Sequence, residues 1–220
     1  MQSYIQASLH TIPGHSMKLF FSPAACSLAV HVALREAGID AQLVKVDLMT
    51  HTLEDGSDYK AVNPRGYVPL LELDDGSRHT EVAALLQYIG GELAPQSGLL
   101  PAAGMARFEV QKWLTFVSSE LHKVFSPWLW HKETADSTRK AAKEKLAVCF
   151  AELDQLLGQR PYIAGSEFTV GDAYGFTIMN WAPMLGMPLK AFPNVQAWMA
   201  RVAQRPAVHA AMLAEGLVKA

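Results

Sequence analysis

Strand signals stop at one place in this chain of 220 residues, and that break constrains the fold more than any other feature. Small and turn-forming residues cluster there, as Ala94-Pro95-Gln96-Ser97-Gly98 and then Pro101-Ala102-Ala103-Gly104, which is the composition of a linker. Before the cluster, strand and helix periods alternate; after it only helix periods remain. The expectation is a mixed α/β domain over residues 17–95 and an all-helical domain over residues 103–220, with residues 1–16 an extension ahead of the fold. The length suits one large domain or two small ones. With 50% apolar and 18% charged residues the chain has the material for a core.

In the first half, Lys18 to Phe21 reads as a short strand stopped by Ser22-Pro23. Val30, Ala33, Leu34 and Ala37 recur at helical spacing within Cys26 to Ala37, and Gly38 supplies a left-handed stop. Gln42 to Asp47 alternates polar and apolar, which completes a β-α-β unit with a parallel pair expected. Thr50 to Asp58 reads as loop, and Asn63-Pro64-Arg65-Gly66 as a turn. Asp74-Asp75-Gly76 joins two short strands as a hairpin, and from Glu81 a helix carries Ala84, Leu85 and Tyr88 on one face. In the second half, long helical patterns cover Ala106 to Val124 and Arg139 to Leu157, the latter with Leu146, Phe150, Leu153 and Leu157 on one face. Helices also suit Val170 to Trp181 and Val195 to Ala203.

A formal charge of −2 without a Lys/Arg stripe gives no field for nucleic acid, so nucleic acid is discounted as a partner. Cys26 and Cys149 stand far apart without metal-ligand or redox spacing, which fits a reducing compartment and makes the cytoplasm the expected location. Ala173 to Leu189 is uncharged but short of a bilayer span, so no membrane partner is expected. Residues 1–16 lack the basic and apolar regions of a secretory signal. His122 and His131 lie too far apart for a helical metal pair, and no metal site is expected.

Three places could carry chemistry. Cys26 sits at the turn from the first strand into the first helix, where free N–H groups and the helix dipole favour a thiolate. A half-buried inert cysteine is the plainer alternative. In Tyr67-Val68-Pro69 a cis proline at the strand mouth would turn the N–H and C=O of Val68 outward to pair with an extended peptide; an ordinary trans proline is the alternative. Thr80-Glu81-Val82 opens a helix, where backbone N–H groups suit a carboxylate and Glu81 an ammonium, unless the segment is simply a cap. Together they match a thiol, a peptide backbone and an α-amino-acid head group. Thr169 to Asp172 has the spacing of a capping box and reads as structural.

Phe21-Ser22-Pro23-Ala24-Ala25-Cys26-Ser27, Asn63-Pro64-Arg65-Gly66-Tyr67-Val68-Pro69, Thr80-Glu81, Ser119-Glu120-Leu121-His122-Lys123 and Phe168 to Tyr174 resemble, in this order, motifs of bacterial beta-class glutathione transferases. The resemblance runs from Met17 to Ala220. It implies an α/β thioredoxin-like N-terminal domain plus an all-α C-terminal domain, glutathione as cosubstrate, a small hydrophobic electrophile as second substrate and a homodimer. By position, Cys26 would contact glutathione or form a mixed disulfide with it, Val68 would pair with its cysteinyl backbone, and Glu81 would bind its γ-glutamyl end. Ser119 and His122 would line the cleft beside the thiol, His122 as hydrogen-bond donor or thiolate tuner, if it is not a packed helix histidine. Three ligand-site positions depart from the family pattern: Val82 replaces Ser or Gly, His51 a Lys, and Thr115 an Asn. These departures keep open a non-catalytic binding protein of the same fold with weakened glutathione affinity. Phe125, Trp128, Trp130 and Trp181 could wall the electrophile pocket or simply fill the core.

Overall fold

The computed structural model describes residues 17–219; the expected extension at residues 1–16 lies outside them. The element order is β1 Lys18–Phe21, α1 Ser27–Glu36, β2 Gln42–Asp47, β3 Thr52–Leu53, β4 Leu70–Glu72, β5 Arg78–His79 and α2 Val82–Tyr88. α3 Gly104–Phe116, α4 Lys123–Phe125, α5 Asp136–Leu157, α6 Val170–Met179, α7 Trp181–Met184, α8 Pro193–Ala203 and α9 Pro206–Ala214 follow. The sheet runs β3-β2-β1-β4-β5. β1 is central because its Lys-Leu-Phe-Phe run can be buried on both faces: Leu19 and Phe21 join the main core, while Phe20 joins Val46, Tyr59, Val68 and Leu70 beneath the sheet. β2 pairs with β1 in parallel, Phe20 facing Val44, and β4 antiparallel, Leu19 facing Leu71. The hairpin turns at Gly76, whose φ of +80° suits glycine.

One reading of the first half needs correction. The Thr50 to Asp58 segment is not all loop, because Thr52 and Leu53 pair antiparallel with Asp47 and Val46 and extend the sheet by a short edge strand. Two residues are too few for alternation to reveal a strand.

α1 reads Ser-Leu-Ala-Val-His-Val-Ala-Leu before its first charge, and every residue from Ser27 to Leu34 is buried. A helix without a polar face has to be covered on every side. Here the sheet lies against one side and α6 and α9 against others. A single buried cluster therefore runs from Leu19 and Leu28 through Leu114 to Phe176 and Trp198.

The segment expected as a linker is pinned: Pro95–Ser97 form a 3-10 turn, Leu99 and Leu100 are buried, and the Leu99 carbonyl accepts the Val170 N–H at 3.0 Å. α5 buries Ala142, Leu146, Cys149, Phe150, Leu153 and Leu157, the expected stripe. α9, with Pro206 in its first turn, adds a helix that the sequence reading leaves out. The capping box at α6 is formed between Thr169 and Asp172. None of the described helices is long and apolar enough to cross a membrane.

Candidate active site

The turn that carries Cys26 is held from three directions. Ser27 is fully buried; its hydroxyl donates to the Ser22 carbonyl at 3.3 Å and accepts the Ser22 N–H at 3.2 Å. Ala24 adopts φ +61°, a left-handed conformation that costs an alanine free energy unless its surroundings enforce it. They do so through both of its peptide groups. The Glu215 carboxylate accepts the Ala24 N–H at 3.2 Å, and the Trp181 indole donates to the Ala24 carbonyl at 2.8 Å. Glu215 is itself buried against His31, Oε1 to Nδ1 at 3.0 Å, and the Arg35 Nε–H donates to the other ring nitrogen at 2.9 Å.

This places Cys26 on the wall of a cleft of about 740 Å³, with Val68, Glu81, Val82 and His122 on the same cleft. The thiol donates to the Val68 carbonyl at 3.3 Å, and the Val68–Pro69 bond is cis. The Val68 N–H has no partner among the described residues. Glu81 has φ +72°, makes no side-chain cap to α2, and points its carboxylate at Arg65, 3.1 Å away and like itself exposed. Val82 is buried in the main core, so it reaches the cleft with little of its side chain.

The expectation of a readily ionised thiol is corrected. Burial is the largest influence on Cys26 and pushes it up to about 12; the backbone N–H groups of the turn and the Lys123 ammonium lower it, and the Glu81 carboxylate adds to the rise. The helix dipole is present but loses to desolvation. At neutral pH Cys26 is thus a thiol that donates, and its thiolate fraction lies about three thousandfold below that of a free cysteine with pKa about 8.5. Alkylation of Cys26 by iodoacetamide, read by peptide mass spectrometry, is expected to be slower than for free cysteine by about that factor and to climb about tenfold per pH unit between pH 7 and 9. A rate that levels off below pH 8 would restore the dipole-dominated thiol.

The facing wall begins on the helix that continues from α3. Val117–His122 form a π-helical turn, a widening found often at functional sites. It brings His122 over the cleft with its Nδ1 2.6 Å from the Tyr174 hydroxyl of α6. The His122 ring meets Tyr174 and Trp181 edge-on at 5.8 and 5.2 Å. Burial, helped by the adjacent Lys123 charge, holds the imidazole down at about 4, so it is neutral at physiological pH.

In the same wide turn Ser118, four residues before His122, stays beneath it and lines the cleft, whereas Ser119 swings outward. Ser119 is exposed, its hydroxyl donating to the Thr115 carbonyl at 3.0 Å, and Thr115 is exposed with it. Neither lines the cleft of this chain. Nor does His51, whose Nδ1 lies 3.2 Å from the Gly66 carbonyl. Trp130 and Trp181 are on the cleft wall; Phe125 is core behind it and Trp128 is outside on the surface. Arg65, Lys123, His131 and Tyr174 also line it without having been singled out as site residues. Arg65, Lys123 and Tyr174 had a signal, each lying within one of the motifs that carry the resemblance, and His131 had none.

Residues 23–92 match the family model described as the glutathione S-transferase N-terminal domain, and residues 116–206 the one described as its C-terminal domain. Glutathione S-transferase GstA of Escherichia coli O157:H7 is 41% identical over 91% of this chain and 100% of its own length. The chain belongs to the glutathione S-transferase family. A sphingomonad glutathione S-transferase solved in complex with glutathione is 44% identical, with TM-score 0.86 over 91% of this chain and 100% of its own. The beta-class enzyme of Sphingomonas chungbukensis gives the same identity, TM-score and coverage. Within the family this chain is a bacterial beta-class glutathione transferase, and the transferase reading stands over the non-catalytic one.

Proposed function

We propose that the cleft binds glutathione and joins its sulfur to small hydrophobic electrophiles. The observation that carries this reading is the convergence of Cys26, Val68, Glu81 and His122, from four separate segments, on one cleft. The Val68 N–H suits the cysteinyl backbone of glutathione, and the paired Glu81 and Arg65 charges suit the two charges of its γ-glutamyl end. The ligand sulfur then lies between the Cys26 thiol and the His122 ring, with Lys123 nearby. In conjugation the ligand S–H proton leaves to solvent, the sulfur lone pair forms a C–S bond, and the electrophile's leaving group departs with its electron pair. A protonated Cys26 supports this by turning its one proton from the Val68 carbonyl to the developing thiolate.

Thiol-disulfide exchange through Cys26 is the second reading. It needs Cys26 as thiolate, which burial opposes, so the raised thiol favours conjugation. Trp130 and Trp181, edge to face at 5.6 Å, offer the electrophile a flat apolar wall. A homodimer accounts for the exposed stripe of α3 and the π-helical turn after it, Met105, Phe108 and Thr115 on the helix and Ser119 on the turn; a second copy seated there gives Thr115 and Ser119 a route to the ligand. The division into residues 17–95 and 103–220, a cytoplasmic location, and a glutathione contact for His51 belong to the same proposal.

Titration calorimetry with reduced glutathione tests it. The wild-type chain is expected to bind, and Glu81→Ala to bind at least about tenfold more weakly, since a charge-assisted hydrogen bond contributes about 1.5–3 kcal/mol. No binding by the wild-type chain, or equal binding by both, overturns the reading.

A further inference from the structure

Tyr174 is 1% exposed, and its hydroxyl lies 2.6 Å from His122 Nδ1. That separation is below the usual range for an N–H donating to oxygen and fits an O–H donor. Acid-base chemistry points the same way. A phenol O–H is more acidic than a neutral imidazole N–H, and an imidazole nitrogen is far more basic than a phenol oxygen. His122 Nε2 has no protein partner among the described residues, and the ring lines the cleft.

We infer that Tyr174 is a positioning residue that fixes His122 as the Nε2–H tautomer, so that the imidazole offers its one proton to the cleft as a hydrogen-bond donor. The proton is shared and never transferred: His122 stays neutral throughout, and its role is to stabilise negative charge on a sulfur or leaving group held in front of it. Without the phenol, Nδ1 would compete for the ring proton and part of the population would turn a bare lone pair toward the same anion. The burial that keeps the ring neutral removes the imidazolium as an alternative donor. Tyr174 ends the motif whose first residues build the capping box of α6, so the same helix that is anchored at Thr169 and Asp172 delivers the phenol one turn later.

Long-range proton–nitrogen NMR of the imidazole rings tests this without any ligand, with His122 assigned by its loss in His122→Gln. In the wild-type chain the expected pattern is a protonated Nε2 and a bare, hydrogen-bonded Nδ1, and in Tyr174→Phe a mixture of both tautomers. A protonated Nδ1 in the wild-type chain, or an unchanged ring in Tyr174→Phe, overturns the inference.

The kinetic arm rests on the glutathione reading above and uses conjugation of glutathione to a chlorodinitrobenzene. Tyr174→Phe should lower kcat about tenfold with the KM for glutathione within about twofold, and should cost nothing further in the His122→Gln background. Equal losses in both backgrounds overturn the route through His122. Failure of glutathione to bind the wild-type chain would sink the site reading while leaving the NMR result to decide the tautomer.

Discussion

Asp172→Ala is expected to destabilise the fold by about 4 kcal/mol, which is a large part of the stability of a chain this size. The carboxylate is fully buried and accepts from four donors: the Ile163 N–H at 2.9 Å and the Trp198 indole at 3.0 Å on one oxygen, the Thr169 N–H at 3.0 Å and the Thr169 hydroxyl at 3.1 Å on the other. Alanine leaves all four without an acceptor in a dry environment, at about 1–3 kcal/mol for each that finds no water. Asp172→Asn keeps one accepting oxygen and should lose about half as much. Urea unfolding is the measurement, and a fall in midpoint at unchanged slope is the expected form. A loss below about 1 kcal/mol would mean that water reaches the site.

The second large effect is expected at Glu215. Replacing it with alanine removes the acceptor of the Ala24 N–H and leaves the His31 imidazole buried without its partner. The stability loss should be about 3 kcal/mol. The variant should also show weaker glutathione binding and slower turnover, because the left-handed conformation of Ala24 loses one of its two restraints and Cys26 stands two residues on. Glu215→Gln retains one accepting oxygen for one of the two donors and should recover part of both losses. If turnover in Glu215→Ala matches the wild type under conditions where both are folded, the clamp does not govern the position of Cys26.

What was legible in the sequence is what short-range physics decides. The β-α-β unit follows from alternation, a helical stripe and Gly38; the hairpin follows from Asp74-Asp75-Gly76; the capping box follows from Thr169 and Asp172 three apart. Cys26, Val68, Glu81 and His122 line one cleft, and their motifs stand at element ends, where local geometry fixes direction. The failures have a common cause. Ser119 follows from the family resemblance alone, and in this chain the π-helical turn puts Ser118 on the cleft and Ser119 on the outer face. The ionisation of Cys26 was read from the dipole of its own helix, while desolvation by distant segments decides it. The partners of Asp172 beyond the box, Ile163 and Trp198, and the contact from Glu215 to Ala24 join residues that no local pattern links.

The Glu215 contact also orders events in time. A ribosome delivers Ala24, Cys26 and the whole sheet first, and an emerging chain folds from that end. The acceptor for the Ala24 N–H lies 191 residues further along. During synthesis the first half can collapse around β1 and still hold Cys26 on a turn secured only by the Ser22–Ser27 bonds, with a buried helix open to water on the sides that α6 and α9 will cover. The nascent protein therefore completes the clamp on Ala24 last, when α9 docks and brings Glu215 with it, after α7 has brought Trp181.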